Sequence, residues 1–280
     1  MHPVLLRLGP LEIPSYGALS ATGMLLATWL SVRAGRRAGV PVPAMLDLMF
    51  WLLVAGLAGS WALHVALNAP ALWRLCREAG DCLAAVDPRR AGFVWYGGAL
   101  AAAAALWAFA RRRRLNVWRL GDVLAPGAAI GQALGRLGCW AAGCCYGAPC
   151  AVPPGVRFPP GSLAWLEAVD AGRLAPGAPA TVPLYPVQLW EAAGNAVLFG
   201  ALLALRARKR FDGQVLCAYA LGYAALRFGL ELVRGDARGG VGPLSTSQLV
   251  AVAVAVAAAA AWWRRSRSPA AAAVPGPRPA

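Results

Sequence analysis

The 280-residue chain is 59% hydrophobic and only 14% charged, with a mean hydropathy of +0.54. A soluble domain of this size carries about a quarter charged residues and short amphipathic elements. The composition therefore excludes an ordinary soluble enzyme and predicts an all-α, polytopic transmembrane helical bundle. The net charge of +15 raises nucleic acid as a partner. The basic residues fall in short blocks between apolar runs, however, where membrane topology and anionic headgroups account for them, so a membrane and no nucleic acid is expected.

Residues 1 to 14 carry Gly9-Pro10 and Ile13-Pro14 and read as a short extended or interfacial lead-in. The first span covers about 15 to 32. It has one Arg before it and Arg33, Arg36 and Arg37 after it, the reverse of a cleavable signal peptide, so it is expected to be retained. The second span covers about 44 to 66, and a polar loop runs from Asn68 to Arg90. The third starts near Phe93 and stops at Arg111 to Arg114. The fourth covers about 120 to 140 and leads into a Pro- and Gly-rich loop over about 141 to 184. That loop is too long for a simple connector and is assigned a lid or substrate-facing role. The fifth span, about 186 to 205, ends at Arg206, Arg208, Lys209 and Arg210. The sixth covers about 213 to 233, and the seventh about 245 to 263 before Arg264, Arg265 and Arg267. The tail over about 268 to 280, rich in Ala and Pro, reads as disordered.

Four basic blocks thus follow the odd-numbered spans and hold fourteen of the 27 lysines and arginines. The positive-inside rule then gives seven spans, an outer N-terminus and a cytoplasmic C-terminus. Residues late in even spans and early in odd ones share the outer leaflet. Tyr16, His64, Tyr96, Arg136, Gln188, Glu191, Arg227, Glu231, Arg234 and Gln248 all fall at that level. Charged groups at bilayer depth cost several kcal/mol, at least ~2.5 on insertion scales, and so mark a pathway or a site.

Arg227, Glu231 and Arg234 stand at i, i+4 and i+7, on one helical stripe. With Arg136, three guanidiniums meet two carboxylates, Glu191 and Glu231, which leaves residual positive charge. A guanidinium fork suits phosphate, and anionic phospholipid is the phosphate available at that depth. Gly127, Gly131 and Gly135 repeat every fourth residue and predict close helix packing. Gly138, Gly143 and Gly147 continue into a bend, read either as a turn or as backbone opened towards a ligand. Cys139, Cys144, Cys145 and Cys150 lack the paired spacing of a metal site and no clustered His accompanies them. Disulfides or buried thiols are expected there, and no metal or other cofactor. Cys76 and Cys82 are a plausible bridge, and Cys217 reads as a core thiol. His64 reads as a hydrogen-bonded structural group and Asp47 as an end-of-helix polar group. No nucleotide loop, Ser-His-Asp order or zinc-helix motif is present, which argues against ATP use and soluble-type hydrolysis.

Six segments in order resemble the prolipoprotein diacylglyceryl transferase family. They are Ile13-Pro-Ser-Tyr16-Gly17, Tyr96-Gly97-Gly98, Gly135-Arg136-Leu-Gly138, Tyr185-Pro186-Val-Gln188-Leu-Trp190-Glu191, Gly222-Tyr223 through Arg227 and Glu231 to Arg234, and Leu244-Ser245-Thr-Ser-Gln248. The resemblance implies one integral-membrane transferase domain over about 1 to 267, in a bacterial cytoplasmic (inner) membrane, with its site towards the outer leaflet. It implies transfer of the diacylglyceryl group of phosphatidylglycerol to the lipobox cysteine of a preprolipoprotein, forming a thioether and releasing glycerol phosphate. By position, Arg136 and Arg227 match the family's essential arginines, Tyr16 its first-helix tyrosine and Glu231 the acid after the second arginine. Tyr96 joins these as a catalytic candidate, while Tyr16, Gly138, Gly143, Gln188, Glu191 and Arg234 are assigned to substrate binding. Tyr96, Glu231 or a neighbouring group accepts the thiol proton, and the sequence leaves all three open. The chain departs from the family pattern at Tyr96 and Tyr185, where His is typical, at Cys139, where Asn is typical, and at Cys144, where an acid is typical. Those departures keep three other readings open: a divergent paralogue with a different acceptor, a phospholipid-binding or transporting protein without chemistry, and thiol exchange through Cys144 and Cys145.

Overall fold

The computed structural model describes residues 4–9, 11–80, 82, 87, 92–150, 154–234 and 240–268. The expected tail, apart from residue 268, lies outside them. Helices dominate, and three of them are long and apolar enough, by length and composition, to cross a membrane: α2 (Val42–Leu67), α7 (Val187–Ala207) and α9 (Thr246–Ser266). Large apolar side chains face outwards: Leu25 and Leu100 are 71% exposed and Val197 74%. A water-facing surface rarely shows such a coat, whereas hydrocarbon requires one. The chain is a membrane protein.

Two compact units divide the chain, residues 32–120 and residues 1–31 with 121–280. In the smaller, α2 packs against α4 (Trp95–Arg112). Glycines set the approach: a Cβ on Gly98 would meet the Gly56 carbonyl oxygen at 2.8 Å. Small residues let membrane helices come this close, and dispersion between the backbones replaces the missing hydrophobic drive. His64 accepts a hydrogen bond from the Gly92 amide at 3.2 Å and lies beside Asn68, a structural role as its isolation in the sequence implied. Asp47 pairs with Arg113 at 2.9 Å. The loop after α2 contains a helix the sequence reading left out, α3 (Ala69–Ala79). It starts with Pro70 in its first turn and ends on Gly80 in the left-handed conformation (φ 67°). Both are ordinary helix punctuation, and the segment is short enough to pass for loop. Cys76 and Cys82 form a disulfide.

The larger unit begins with an antiparallel hairpin, β1 (Val4–Leu8) and β2 (Leu11–Pro14), which gives the lead-in its extended backbone. Helix α1 (Ser15–Arg37) follows, and its early turns cross α5 (Val117–Ala142). A Cβ on Gly23 would lie 3.0 Å from the Gly131 carbonyl oxygen, and one on Gly127 would lie 2.9 Å from that of Ala27. Gly135, third in the repeat, faces open space. Helices α5, α7 and α8 (Gln214–Glu231) share a core of Ala125, Ala129, Leu202 and Val215.

The start of α8 is capped from another helix. Gly213 offers no side chain, so Asp122 of α5 accepts from the Gly213 amide at 2.8 Å and the Leu216 amide at 2.9 Å. Lys209, 3.1 Å from Asp122 and 2.8 Å from Asp212, balances the charge. A carboxylate on the first amides of a helix satisfies groups that have no intrahelical partner and complements the helix dipole. Helix α9 caps itself: Ser245 accepts from the Gln248 amide, and the Gln248 side chain accepts from the Ser245 amide. Just before it, β3 (Gly240–Val241) pairs with β4 (Leu244–Ser245).

Between α5 and α7 the long loop is tied down along its length. Gly147 donates to the Tyr185 carbonyl (2.9 Å), Cys150 to that of Pro183 (2.8 Å), and Val156 and Leu184 bond each other (2.9 Å). A second helix absent from the sequence reading, α6 (Leu163–Asp170), starts at Ser162, whose hydroxyl accepts from the Trp165 amide. Phe158, Ala164 and Leu184 form a small core under it, against Trp140 and Tyr146.

Candidate active site

Four of the residues singled out in the sequence meet inside the larger unit. Glu191, in the second turn of α7 and 1% exposed, places Oε2 3.0 Å from Arg136 Nε and 3.9 Å from Arg227 Nη1. Both contacts are ionic; neither is a hydrogen bond to that oxygen. Its other oxygen accepts from the Tyr223 hydroxyl at 3.2 Å. Arg227 donates through Nη2 to Glu231 at 3.1 Å, one turn on, and to Ser247 at 3.4 Å. Glu231 also accepts from the Ser245 hydroxyl at 2.9 Å. The result is a chain of alternating charge, Arg136, Glu191, Arg227, Glu231, drawn from α5, α7 and α8 and braced by the start of α9.

Two atoms of this chain are left over: Arg227 Nη1 and Glu191 Oε2 are both buried and without a hydrogen-bond partner. A guanidinium nitrogen without an acceptor in a low-dielectric interior is costly, and Nη1 keeps the capacity to donate to one more oxygen. Two arginines against two carboxylates cancel, however. The residual positive charge expected from the sequence therefore depends on Arg234, which follows α8 in the turn at its end and lies within electrostatic range of Cys145.

The other assigned residues take varied places. Tyr16 sits at the start of α1, half exposed, and its backbone and ring press on Gly138: a Cβ there would meet both at 3.2 Å. A side chain there would push α1 back by a few tenths of an ångström. Gln188 is fully buried and donates to the Cys144 carbonyl at 2.7 Å, so it holds the loop rather than an arginine. Gly143 has φ +73° and packs beneath Ser162, which makes it a turn residue at the end of α5. Tyr96 lies in the first turn of α4, in the smaller unit, its ring edge-on to Trp95.

The turn after α5 also gathers sulfur. Cys139, buried, and Cys144 and Cys145, partly buried, place their Sγ atoms within 4.8 Å of one another, and all three are free thiols. Hydrogen bonds from the Cys139 and Cys144 thiols, with the Arg136 and Arg234 guanidiniums behind them, hold the Cys145 thiol below its usual range. Cys150 and Cys217 are buried free thiols.

Sequence reading missed Tyr223, Ser245 and Ser247 as partners of the charged chain. A signal existed for the first: Tyr219, Tyr223, Arg227 and Glu231 recur every fourth residue and so share one face of α8. Tyr219 and Tyr223 stack, and Tyr219 donates to Gln132 of α5 at 2.9 Å.

The sequence model of the prolipoprotein diacylglyceryl transferase family matches residues 3–264, spanning both units. The chain belongs to that family. Among its curated members, phosphatidylglycerol–prolipoprotein diacylglyceryl transferase 2 of Clostridium perfringens is 31% identical over 258 residues, covering 90% of this chain and 91% of that protein. The transferases of Clostridium tetani and Synechococcus elongatus are 28% and 30% identical, over 90% and 89% of this chain and 93% and 82% of theirs. Membership in the diacylglyceryl transferase family spans the whole charged constellation, from Tyr16 to Gln248.

Proposed function

We propose that this chain transfers the diacylglyceryl group of phosphatidylglycerol to the lipobox cysteine of preprolipoproteins. The acceptor thiolate attacks the glyceryl carbon, a C–S bond forms as the C–O bond to phosphate breaks, and glycerol phosphate leaves with the electron pair. The observation that carries this reading is the orphaned, buried Arg227 Nη1 beside a second guanidinium, Arg136. Together they offer charged donors to a phosphate oxygen and stabilise the negative charge that develops on the leaving group in a water-poor site. Glu191 and Tyr223 set the position of both guanidiniums, and Glu231 with Ser245 and Ser247 sets the other edge of Arg227.

The thiol loses its proton before attack, because the thiolate is the nucleophile. Glu231, Tyr96 or a neighbouring group is the acceptor proposed, and Glu231→Gln and Tyr96→Phe test the first two by which one abolishes transfer. Tyr16, Gly138, Gly143, Gln188, Glu191 and Arg234 are assigned to substrate binding in this proposal, Gly143 and Gln188 by shaping the loop and Glu191 by setting the guanidiniums. The chain is placed in a bacterial inner membrane with seven spans, α1, α2, α4, α5, α7, α8 and α9, its N-terminus outside and its site towards the outer leaflet. The basic blocks after the odd spans support that orientation.

The test is mass spectrometry of a lipobox peptide incubated with the purified protein and phosphatidylglycerol. A gain of one diacylglyceryl group, lost in Arg227→Ala, is expected. Lipid binding with no product, under conditions where a family member turns over, overturns the catalytic assignment.

A further inference from the structure

We propose that Cys139, Cys144 and Cys145 form a three-thiolate site for a thiophilic d10 cation of the Zn2+ or Cu+ class. Its readout is metal content, which is measured without the transfer reaction.

Geometry is the first argument. The three Sγ atoms lie within 4.8 Å of one another. A metal bound by three thiolates at about 2.3 Å requires sulfurs roughly 3.8 to 4.0 Å apart, for tetrahedral or trigonal angles. Closure needs shifts below an ångström, within the reach of side-chain torsions. Among the described residues, no other His, Cys, Asp or Glu set is grouped in this way.

The second argument is that the backbone is constrained to present these sulfurs. Cys139 stands on the last turn of α5, and the chain reverses at Gly143 so that the Cys144 amide donates back to the Cys139 carbonyl at 3.0 Å. Buried Gln188 fixes the Cys144 carbonyl from α7. Cys145 adopts φ +60°, a left-handed conformation that a side-chain-bearing residue takes only when its surroundings impose it. Two residues on, Gly147 is wedged so tightly that a Cβ would meet Tyr185, Val187 and the Val233 carbonyl at 2.7 Å. The turn is held on both sides while the three sulfurs converge.

Charge supplies the third. Three thiolates around Zn2+ or Cu+ leave a net negative complex. Arg136 lies one turn before Cys139 on α5, and Arg136 and Arg234 are both within electrostatic range of Cys145. Both guanidiniums offset part of that charge, Arg136 while also serving Glu191. Soft sulfur selects the thiophilic metals. Cys144 and Cys145 are adjacent in sequence, which makes a disulfide between them strained, and a bridge from Cys139 to either would strand the third thiol.

The experiment uses the full-length protein purified in detergent, desalted without oxygen and incubated separately with Zn2+ and Cu+ against a competing chelator. Retained metal is counted by mass spectrometry, and thiols by alkylation with peptide mapping. One cation per chain, with Cys139, Cys144 and Cys145 protected from alkylation and Cys217 unaffected, is expected. Cys144→Ser and Cys145→Ser should each weaken retention at least tenfold, while Cys217→Ser keeps it. Failure to retain either metal with all three thiols alkylated overturns the proposal. So does retention unchanged in both serine variants, or a disulfide among the three in protein purified without reductant.

Discussion

Replacing Arg227 by lysine separates the charge of this residue from its shape. In the native site Nη2 serves Glu231 at 3.1 Å and Ser247 at 3.4 Å, while Nη1 remains open, 3.9 Å from Glu191. A lysine keeps the positive charge between two buried carboxylates, so the fold persists. Its single ammonium, engaged by Glu231, has no second planar nitrogen to offer to a phosphate. The expected loss is that of one hydrogen bond to a charged group, about 1.5–3 kcal/mol, or roughly a 10- to 150-fold lower rate of transfer. Arg227→Ala differs in kind. It leaves Glu191 and Glu231 facing one guanidinium, Arg136, and breaking a buried pair in this way costs about 3–5 kcal/mol of stability. The assay is the mass gain of a lipobox peptide over time, run beside thermal unfolding in detergent for both variants. Native transfer by Arg227→Lys, or a loss in Arg227→Lys no larger than its fall in folded fraction, would refute the reasoning.

Tyr223→Phe removes the hydroxyl that bonds Glu191; one neutral-donor hydrogen bond to a carboxylate is worth about 1–2 kcal/mol, so a lowered unfolding temperature is expected together with reduced transfer. Ser245→Ala removes both the α9 cap and a donor to Glu231; a loss of about 1–2 kcal/mol is expected from the cap, measurable as a lowered unfolding midpoint together with reduced transfer. Asp122→Asn leaves Lys209 with Asp212 alone and weakens the cap on α8; a loss of about 1–2 kcal/mol from the weakened cap is expected in thermal unfolding.

Most of the charged chain was legible in the sequence because charge is conspicuous on apolar helices: Arg136, Glu191, Arg227 and Glu231 each stand out at bilayer depth, and the i, i+4 spacing puts two of them on one face. What joins them was harder to see. Tyr223 carries no charge, and its place in the four-residue rhythm of α8 becomes visible only once Arg227 anchors the count. Asp122 had no local signal, since its partners Lys209 and Gly213 lie 87 and 91 residues away. The sulfur cluster was hidden by spacing: the reversal at Gly143 folds Cys144 back onto Cys139, a tertiary event that no Cys-x-x-Cys template encodes. Helices α3 and α6 escaped because each is short and rests on caps and a disulfide or small core, not on a long apolar run.

The cap that Asp122 places on α8 also works as a registration mark. Asp122 and Arg136 are fourteen residues apart on α5, and Gly213 and Arg227 are fourteen apart along the segment that becomes α8. At 1.5 Å per residue each arginine stands about 21 Å beyond the same fixed point, in two helices that run in the same direction. The spacing between the guanidiniums is thus dimensioned from the far end of the bundle. One residue inserted into either helix above the clamp would turn its arginine by about 100° and lift it about 1.5 Å, off the shared carboxylate, although nothing near the site had been touched.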